Sequence, residues 1–402
     1  MPWFLKRTWD LLLGAAFGLF LFSRGKGPLN AWLLVNLVTW YVVSSLLVCL
    51  HELGHALVGR VVGLRVFWVA IGVGRPLYEG QFWGTNLRIN LWPSRGATAL
   101  AASTPHLIRL RLWAAVCAGP ATHLAPFALC YLAAGRLTTF PPAGDIWSTP
   151  APFAVLLYAN ALLLLLSLFS AGGGTLTRPD GHRLMQIPFW KEQEVAEYLA
   201  TYPALEAYEF MRRGDLKQAV ARYQAALALA ADSYVLRHDL AVARLLQGEY
   251  EQARTAFVGL LSQESSRLPG RRLLLLNNIA WADLMLRRAD LLREADTYSE
   301  EAIKELPNLP AIQGTRGAVL VTLGRAEEGL SLLKKSFRRH SEPSARASVA
   351  CWIAIAETRT GHGEEARVWF GKAERLCPWL HLLDWTREET QGHSLAAANS
   401  PR

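Results

Sequence analysis

Charge is scarce in this 402-residue sequence, where Asp, Glu, Lys and Arg together make up only 19%. Cysteine is scarcer still. Its five copies, at positions 49, 117, 130, 351 and 377, are odd in number and form no Cys-x-x-Cys pair. That excludes a disulfide framework and a cysteine-type zinc site, and it suits reduced thiols on a cytoplasm-facing protein. Acidic residues are missing mainly from the first half. Residues 1–187 hold 14 Lys/Arg against 5 Asp/Glu, whereas the rest is balanced at 28 of each. The basic excess, part of a net charge of +9, therefore lies among the apolar runs. Juxtamembrane arginine accounts for it, and a nucleic-acid partner is not expected.

What is present is grease in long runs. Ala31 to Leu50 is 20 residues without a charge, enough to cross about 30 Å of hydrocarbon. Leu112 to Ala134 is a second such run, carrying Pro120 and Pro126, and Ala151 to Gly174 is a third, ending in "AGGG". A shorter stretch, Leu11 to Phe22, spans with help from Trp3 and Phe4 or lies in the interface. Seven arginines between residues 60 and 111, against Arg136 alone between 135 and 150, place the connection after the first run on the cytoplasmic side. The expected setting is a multi-pass protein of a bacterial inner membrane, with everything after residue 175 in the cytoplasm. Between the first two runs, "RVFWVAIGVGRP" and "TNLRINLWPSRGAT" alternate in the manner of strands and predict a small β element at the membrane surface.

From about residue 200 the texture becomes rich in Ala, Leu, Arg and Glu, and a period appears. Gly214, Ala219 and Tyr223 recur 34 residues later as Gly248, Ala253 and Phe257. The same offsets of five and nine run from Gly324 to Gly329 and Leu333, and from Gly361 to Ala366 and Phe370. A degenerate copy places Ala295 and Ser299 behind Asp290. The pattern resembles the tetratricopeptide repeat, whose glycine turns the chain between two closely packed helices. Stacked repeats of this kind offer a concave surface for a protein partner. The expected fold is all-α dominated: a polytopic helical membrane domain with a small β element, then an α-solenoid. Its expected divisions are an N-terminal hydrophobic segment (1–29), a membrane domain (30–187, spans near 30–58, 112–134 and 151–174), a linker (188–199), repeats (200–385) and a tail (386–402).

The chemistry sits at the end of the first long run. His51 and His55 are four residues apart, so on a helix they share a face and can hold one metal ion. Glu52 beside them is placed to act as general base. Polar groups at membrane depth are costly unless paired or metal-bound, and Zn2+ would convert that cost into ligation. A catalytic zinc needs a third protein ligand. Asp180, in "TRPDGHRL", is the leading candidate. His182 is a competitor, as are Glu192, Glu194 and Glu197 in the following helix.

These residues resemble those of the site-2 protease family of intramembrane zinc metalloproteases. The match rests on His51, Glu52 and His55 in an apolar segment, and on "IGVGRPL" followed by "LWPSRGA". It rests also on "AGPATH" (Gly119–His123), and on Asn160 followed by Asp180-Gly181. The resemblance covers residues 30–187. It implies that Asp180 completes the zinc site and that the substrate is the transmembrane segment of another membrane protein. His123 stands where the family has asparagine. By the same resemblance His123 and Asn160 are expected to contact the substrate. Two other readings stay open: a non-catalytic membrane scaffold acting through the repeats, and a different membrane metallopeptidase with a glutamate ligand.

Overall fold

A single 31-residue helix, α1 (Ala31–Val61), carries the first apolar run and the histidine pair together. At 1.5 Å per residue it is about 46 Å long, more than a bilayer core requires. Its two faces are unlike. Asn36, Ser44, His51, Glu52 and His55 are buried, while Leu34, Leu37, Val38, Leu46, Leu50 and Leu57 are exposed along its length. A soluble helix that is apolar nearly all round hides in a core. This one buries its polar side and shows its aliphatic side, the inverse arrangement expected of a helix solvated by lipid.

The computed structural model describes residues 31–134, 150–169, 179–263 and 269–398. They fall into two units, Met1–Tyr202 and Pro203–Arg402. The expected N-terminal segment, 1–29, and the glycine run 171–174 lie outside the described residues. Among the described residues, two helices are long and apolar enough to cross a membrane: α1 and α4 (Pro152–Phe169). The run Leu112–Ala134, expected to bend at Pro120 and Pro126, is split into α2 (Ile108–Thr122) and α3 (Leu124–Ala134), with His123 between them. Proline explains the break. Pro126 has no N–H for the Thr122 carbonyl four residues back, and its ring crowds that carbonyl.

After α1 the chain forms a hairpin of two strands, β1 (Arg65–Phe82) and β2 (Thr85–Ala101), joined at Trp83-Gly84. Both turn residues have positive φ, 48° and 72°, as the tight hairpin turn that matches strand twist demands. The hairpin is bent double. Trp68–Ile71 pairs with Gly96–Ala99 on one side and lies against Asn86–Ile89 on the other. The bend uses Gly72 at φ +78°, where a Cβ would stand 2.7 Å from the Trp92 carbonyl oxygen. Asn90 stitches the fold, its amide donating to Gly72 O at 2.9 Å. The bent region runs beside α1, where the Tyr41 hydroxyl donates to Leu91 O at 2.6 Å.

Residues 188–199, expected as a linker, belong to the first unit. A 3-10 turn (Ile187–Phe189) and helix α6 (Glu192–Leu199) follow the short α5 (Asp180–Gln186). Ile187, Val195 and Tyr198 bury against Leu100, Ile108 and Leu112, and the Tyr198 hydroxyl donates to Leu100 O at 2.8 Å. Alternating small apolar and charged residues there signal an amphipathic helix seeking a core, not a free tether.

The second unit is a series of helical hairpins. After α7 (Thr201–Arg213) and α8 (Leu216–Leu229), the pairs are α9 (Tyr234–Gln247) with α10 (Tyr250–Gln263), and α11 (Pro269–Leu286) with α12 (Ala289–Glu305). Then come α13 (Pro310–Thr322) with α14 (Ala326–Arg339), α15 (Pro343–Arg359) with α16 (Gly363–Leu376), and a closing α17 (Leu382–Ala398). Gly214, Gly248, Gly324 and Gly361 occupy the turns at φ between +83° and +90°, the left-handed region where a Cβ is penalised. Ala219, Ala253, Ala295 and Ala366 are buried, as helix contacts at close range require. The degenerate copy turns at Arg287, φ 54°, and Asp290 sits in the first turn of α12. The tail expected from residue 386 is the body of α17, whose Trp385 packs edge-on against Trp352 with ring centroids 4.8 Å apart.

Candidate metal centre and active site

His51, His55 and Asp180 meet. The carboxylate Oδ2 of Asp180 lies 2.9 Å from His51 Nε2 and 3.3 Å from His55 Nε2, and the two ring nitrogens are 3.1 Å apart. Four-coordinate zinc with bonds near 2.0–2.1 Å holds its ligands about 3.3–3.5 Å from one another. The three donors thus already surround one point, and a shift of a few tenths of an ångström would seat the ion. Their chemistry, two imidazoles and a carboxylate, is that of a catalytic zinc site with one position left for substrate. Among the described residues no other group of three His, Cys, Asp or Glu side chains converges this way.

Each donor is brought in by local sequence. Helical spacing stacks His51 and His55 on the buried face of α1. His55 is oriented from behind, its Nδ1 donating to Ala115 O of α2 at 2.8 Å. Such an outer partner fixes the ring and leaves Nε2 for metal. Asp180 opens α5 after extended Pro179. Gly181 lets that turn press on the end of α4, for a Cβ there would sit 2.3 Å from Leu168 O.

Glu52 is buried on the same face, and Thr98 Oγ1 of β2 donates to its Oε2 at 2.6 Å. Gly96 gives the side chain room, since a Cβ there would stand 2.5 Å from Glu52 Oε1. Gly119 does the same for the metal ligands. A Cβ at that position would lie 2.2 Å from His55 Nε2 and 2.8 Å from His51 Nε2. Sequence reasoning missed Thr98 and gave Gly119 no role of its own. A threonine in a strand carries no distinguishing signal, and the need for glycine at 119 arises only when α2 crosses α1.

The competing ligands stand elsewhere. His182 is exposed. Glu192 pairs with Arg109 at 2.7 Å, Glu194 accepts from the Lys191 backbone, and Glu197 accepts from Gln193. His123 and Asn160 are both buried, at 2% and 0% exposure. His123 Nε2 lies 3.1 Å from His51 Nδ1, and His123 Nδ1 lies 2.7 Å from Asn160 Oδ1.

A family model described as peptidase family M50 matches residues 40–360, a span holding the whole site. The chain belongs to peptidase family M50. This is the site-2 protease family, and here its membrane part is followed by tetratricopeptide-like repeats. M50 proteins are zinc metalloproteases, and the His-His-Asp cluster is where such an ion fits. Similarity to "Putative zinc metalloprotease Cj1068" of Campylobacter jejuni runs at 38% identity over 66 residues. That stretch is 16% of this chain and 18% of the relative, so the chain spans under a fifth of that relative's length. Solved structures similar to this chain include a thermophilic TPR protein of Thermus thermophilus (19% identity, 49% of this chain and 99% of that one, TM-score 0.38). YrrB, a TPR protein with an unusual peptide-binding site, is similar at 17% identity over 46% of this chain and 90% of that one, TM-score 0.27.

Proposed function

We propose that this M50 protein is a zinc-dependent intramembrane endopeptidase that cuts membrane-spanning segments of other proteins. One observation carries the reading. His51, Glu52 and His55 lie on the buried face of a helix whose opposite face is aliphatic and exposed, and Asp180 is brought against them from α5. Paired so closely at that depth, these groups gain their place only through a ligand.

When bound, zinc supplies Lewis-acid polarisation of the attacking water and of the scissile carbonyl. His51, His55 and Asp180 hold it, and the rest is done by the chain. Glu52 accepts a proton from the water as its oxygen adds to the carbonyl carbon. It then delivers that proton to the amide nitrogen as the C–N bond breaks, leaving a carboxylic acid and an amine, and the acid's remaining proton passes to the amine to give carboxylate and ammonium. Thr98 holds the Glu52 carboxylate in one orientation through both transfers. A substrate helix must unwind before its carbonyls are reachable, and a strand edge can capture the unwound segment. Trp68–Ile71 is flanked on both sides, so the edge suited to this is the outer half of β2, Gly96–Ala101, which also carries Thr98. The repeats recruit the substrate or a regulator on the cytoplasmic side of a multi-pass protein.

Replacing Glu52 with Gln tests the reading. The protein should keep one zinc per chain and lose cleavage of a reporter transmembrane segment by at least about a hundredfold. Cleavage within threefold of the unsubstituted protein would end it.

A further inference from the structure

The residue at 123 has a task that the motif around it does not announce. Its surroundings can be worked out atom by atom. Asn160 Nδ2 donates to the main-chain oxygen of His123 at 2.9 Å, which fixes the amide so that Oδ1 faces His123 Nδ1 at 2.7 Å. An amide oxygen only accepts, so Nδ1 of the His123 ring carries the hydrogen. In that neutral tautomer Nε2 is an acceptor. It lies 3.1 Å from His51 Nδ1, which therefore donates to it. His51 is left with its lone pair on Nε2, the nitrogen aimed at Asp180 and His55.

His55 reaches the same tautomer by a simpler route, through the Ala115 carbonyl. Among the described residues His51 Nδ1 meets the His123 ring where His55 meets a carbonyl. His123 ends α2, where the split in the helix turns its ring back toward α1.

We infer that His123 is a positioning residue which, oriented by Asn160, fixes the ring and tautomer of His51 so that Nε2 is presented to the metal. The inference rests on the zinc reading above and gives both residues a duty other than touching substrate. Asn160 is wholly buried, and both the nitrogen and the oxygen of its amide engage His123. Outer hydrogen-bond partners of metal-bound histidines are commonly worth 10- to 100-fold in affinity.

The test compares two side chains of nearly one shape. In H123Q the amide oxygen reaches the place of the lost Nε2 and can accept from His51; in H123M the thioether accepts poorly. Zinc affinity of the full-length detergent-solubilised proteins is measured by competition with a chromophoric chelator. The expected result is H123Q within about threefold of the unsubstituted protein and H123M weaker by roughly 10- to 100-fold. N160L should weaken binding as H123M does, and the double variant should lose no more than either alone, because both act through one ring. Equal affinity in H123M and the unsubstituted protein would overturn the inference, as would an equal loss in H123Q and H123M. Should H123M fail to fold, H123Q still decides, since a loss above tenfold there contradicts the acceptor role. An unsubstituted protein that binds no zinc would instead remove the parent reading.

Discussion

Gly119→Ala is the smallest change that should empty the metal centre without touching a ligand. The added methyl would be built 2.2 Å from His55 Nε2 and 2.8 Å from His51 Nε2. Carbon and nitrogen resist approach much below about 3.4 Å, so a ring or a helix must retreat by roughly 1 Å. The rings have little freedom to do so, because His55 is tied to Ala115 and His51 to His123. Moving helix α2 off would open the close packing at Gly54, where a Cβ would meet Ala118 O at 2.7 Å. Metal sites tolerate distance errors of about 0.2 Å, so a displacement several times larger should cost at least about a hundredfold in zinc affinity. The assay is chelator competition on purified full-length protein, with metal content by atomic emission and a melting curve to confirm folding. Zinc bound as tightly by folded Gly119→Ala as by the unsubstituted protein would refute the packing argument.

Thr98→Val should leave zinc in place and reduce turnover by about 10- to 100-fold, the worth of one hydrogen bond to a charged carboxylate, seen as a fall in kcat with little change in KM. In the repeats, Arg254 is paired with Asp283 and Glu294, and burial pushes the Asp283 carboxyl up to about 6 despite that pairing. A raised carboxyl pKa means stability present at low pH and lost as pH climbs from about 4 through 6. Arg254→Met should therefore cost about 3 kcal/mol at pH 7.5, where a buried charge is stranded, and much less at pH 5, where Asp283 is protonated, as read by hydrogen exchange across α11. Gly324→Ala should destabilise the α13–α14 hairpin by about 1–2 kcal/mol through its left-handed turn, whereas Gly259→Ala, in a helix with open space around it, should stabilise by about 0.5–1 kcal/mol.

The legible parts of the molecule were those written over short distances. The pairing of His51 with His55 follows from four-residue spacing, and the repeat turns follow from glycines that must adopt positive φ. Asp180 is 125 residues from His55, and its own Pro-Asp-Gly reads as an ordinary turn. It led the candidates His182, Glu192, Glu194 and Glu197 on its carboxylate and its turn, and the likeness to a known family strengthened that choice. Features made by long-range encounters stayed hidden. The doubled hairpin depends on one glycine bend among several, and Thr98 reaches Glu52 across 46 positions. His123 meets Asn160 across 37 and His51 across 72. Residues 188–199, read as a linker, pack into the first unit, and residues 386–398, read as part of a tail, continue α17, because short amphipathic helices draw most of their stability from packing that composition does not display. The degenerate repeat was legible through Ala295 and Ser299, which are both buried, although Arg287 takes the left-handed position that glycine holds elsewhere.

Zinc-edge X-ray absorption on the purified protein interrogates the centre most directly. The account expects two imidazole nitrogens and oxygen scatterers near 2.0–2.1 Å with no sulfur shell, and a spectrum that changes when Asp180 becomes Ala. A sulfur shell, or a spectrum indifferent to the loss of Asp180, would contradict it.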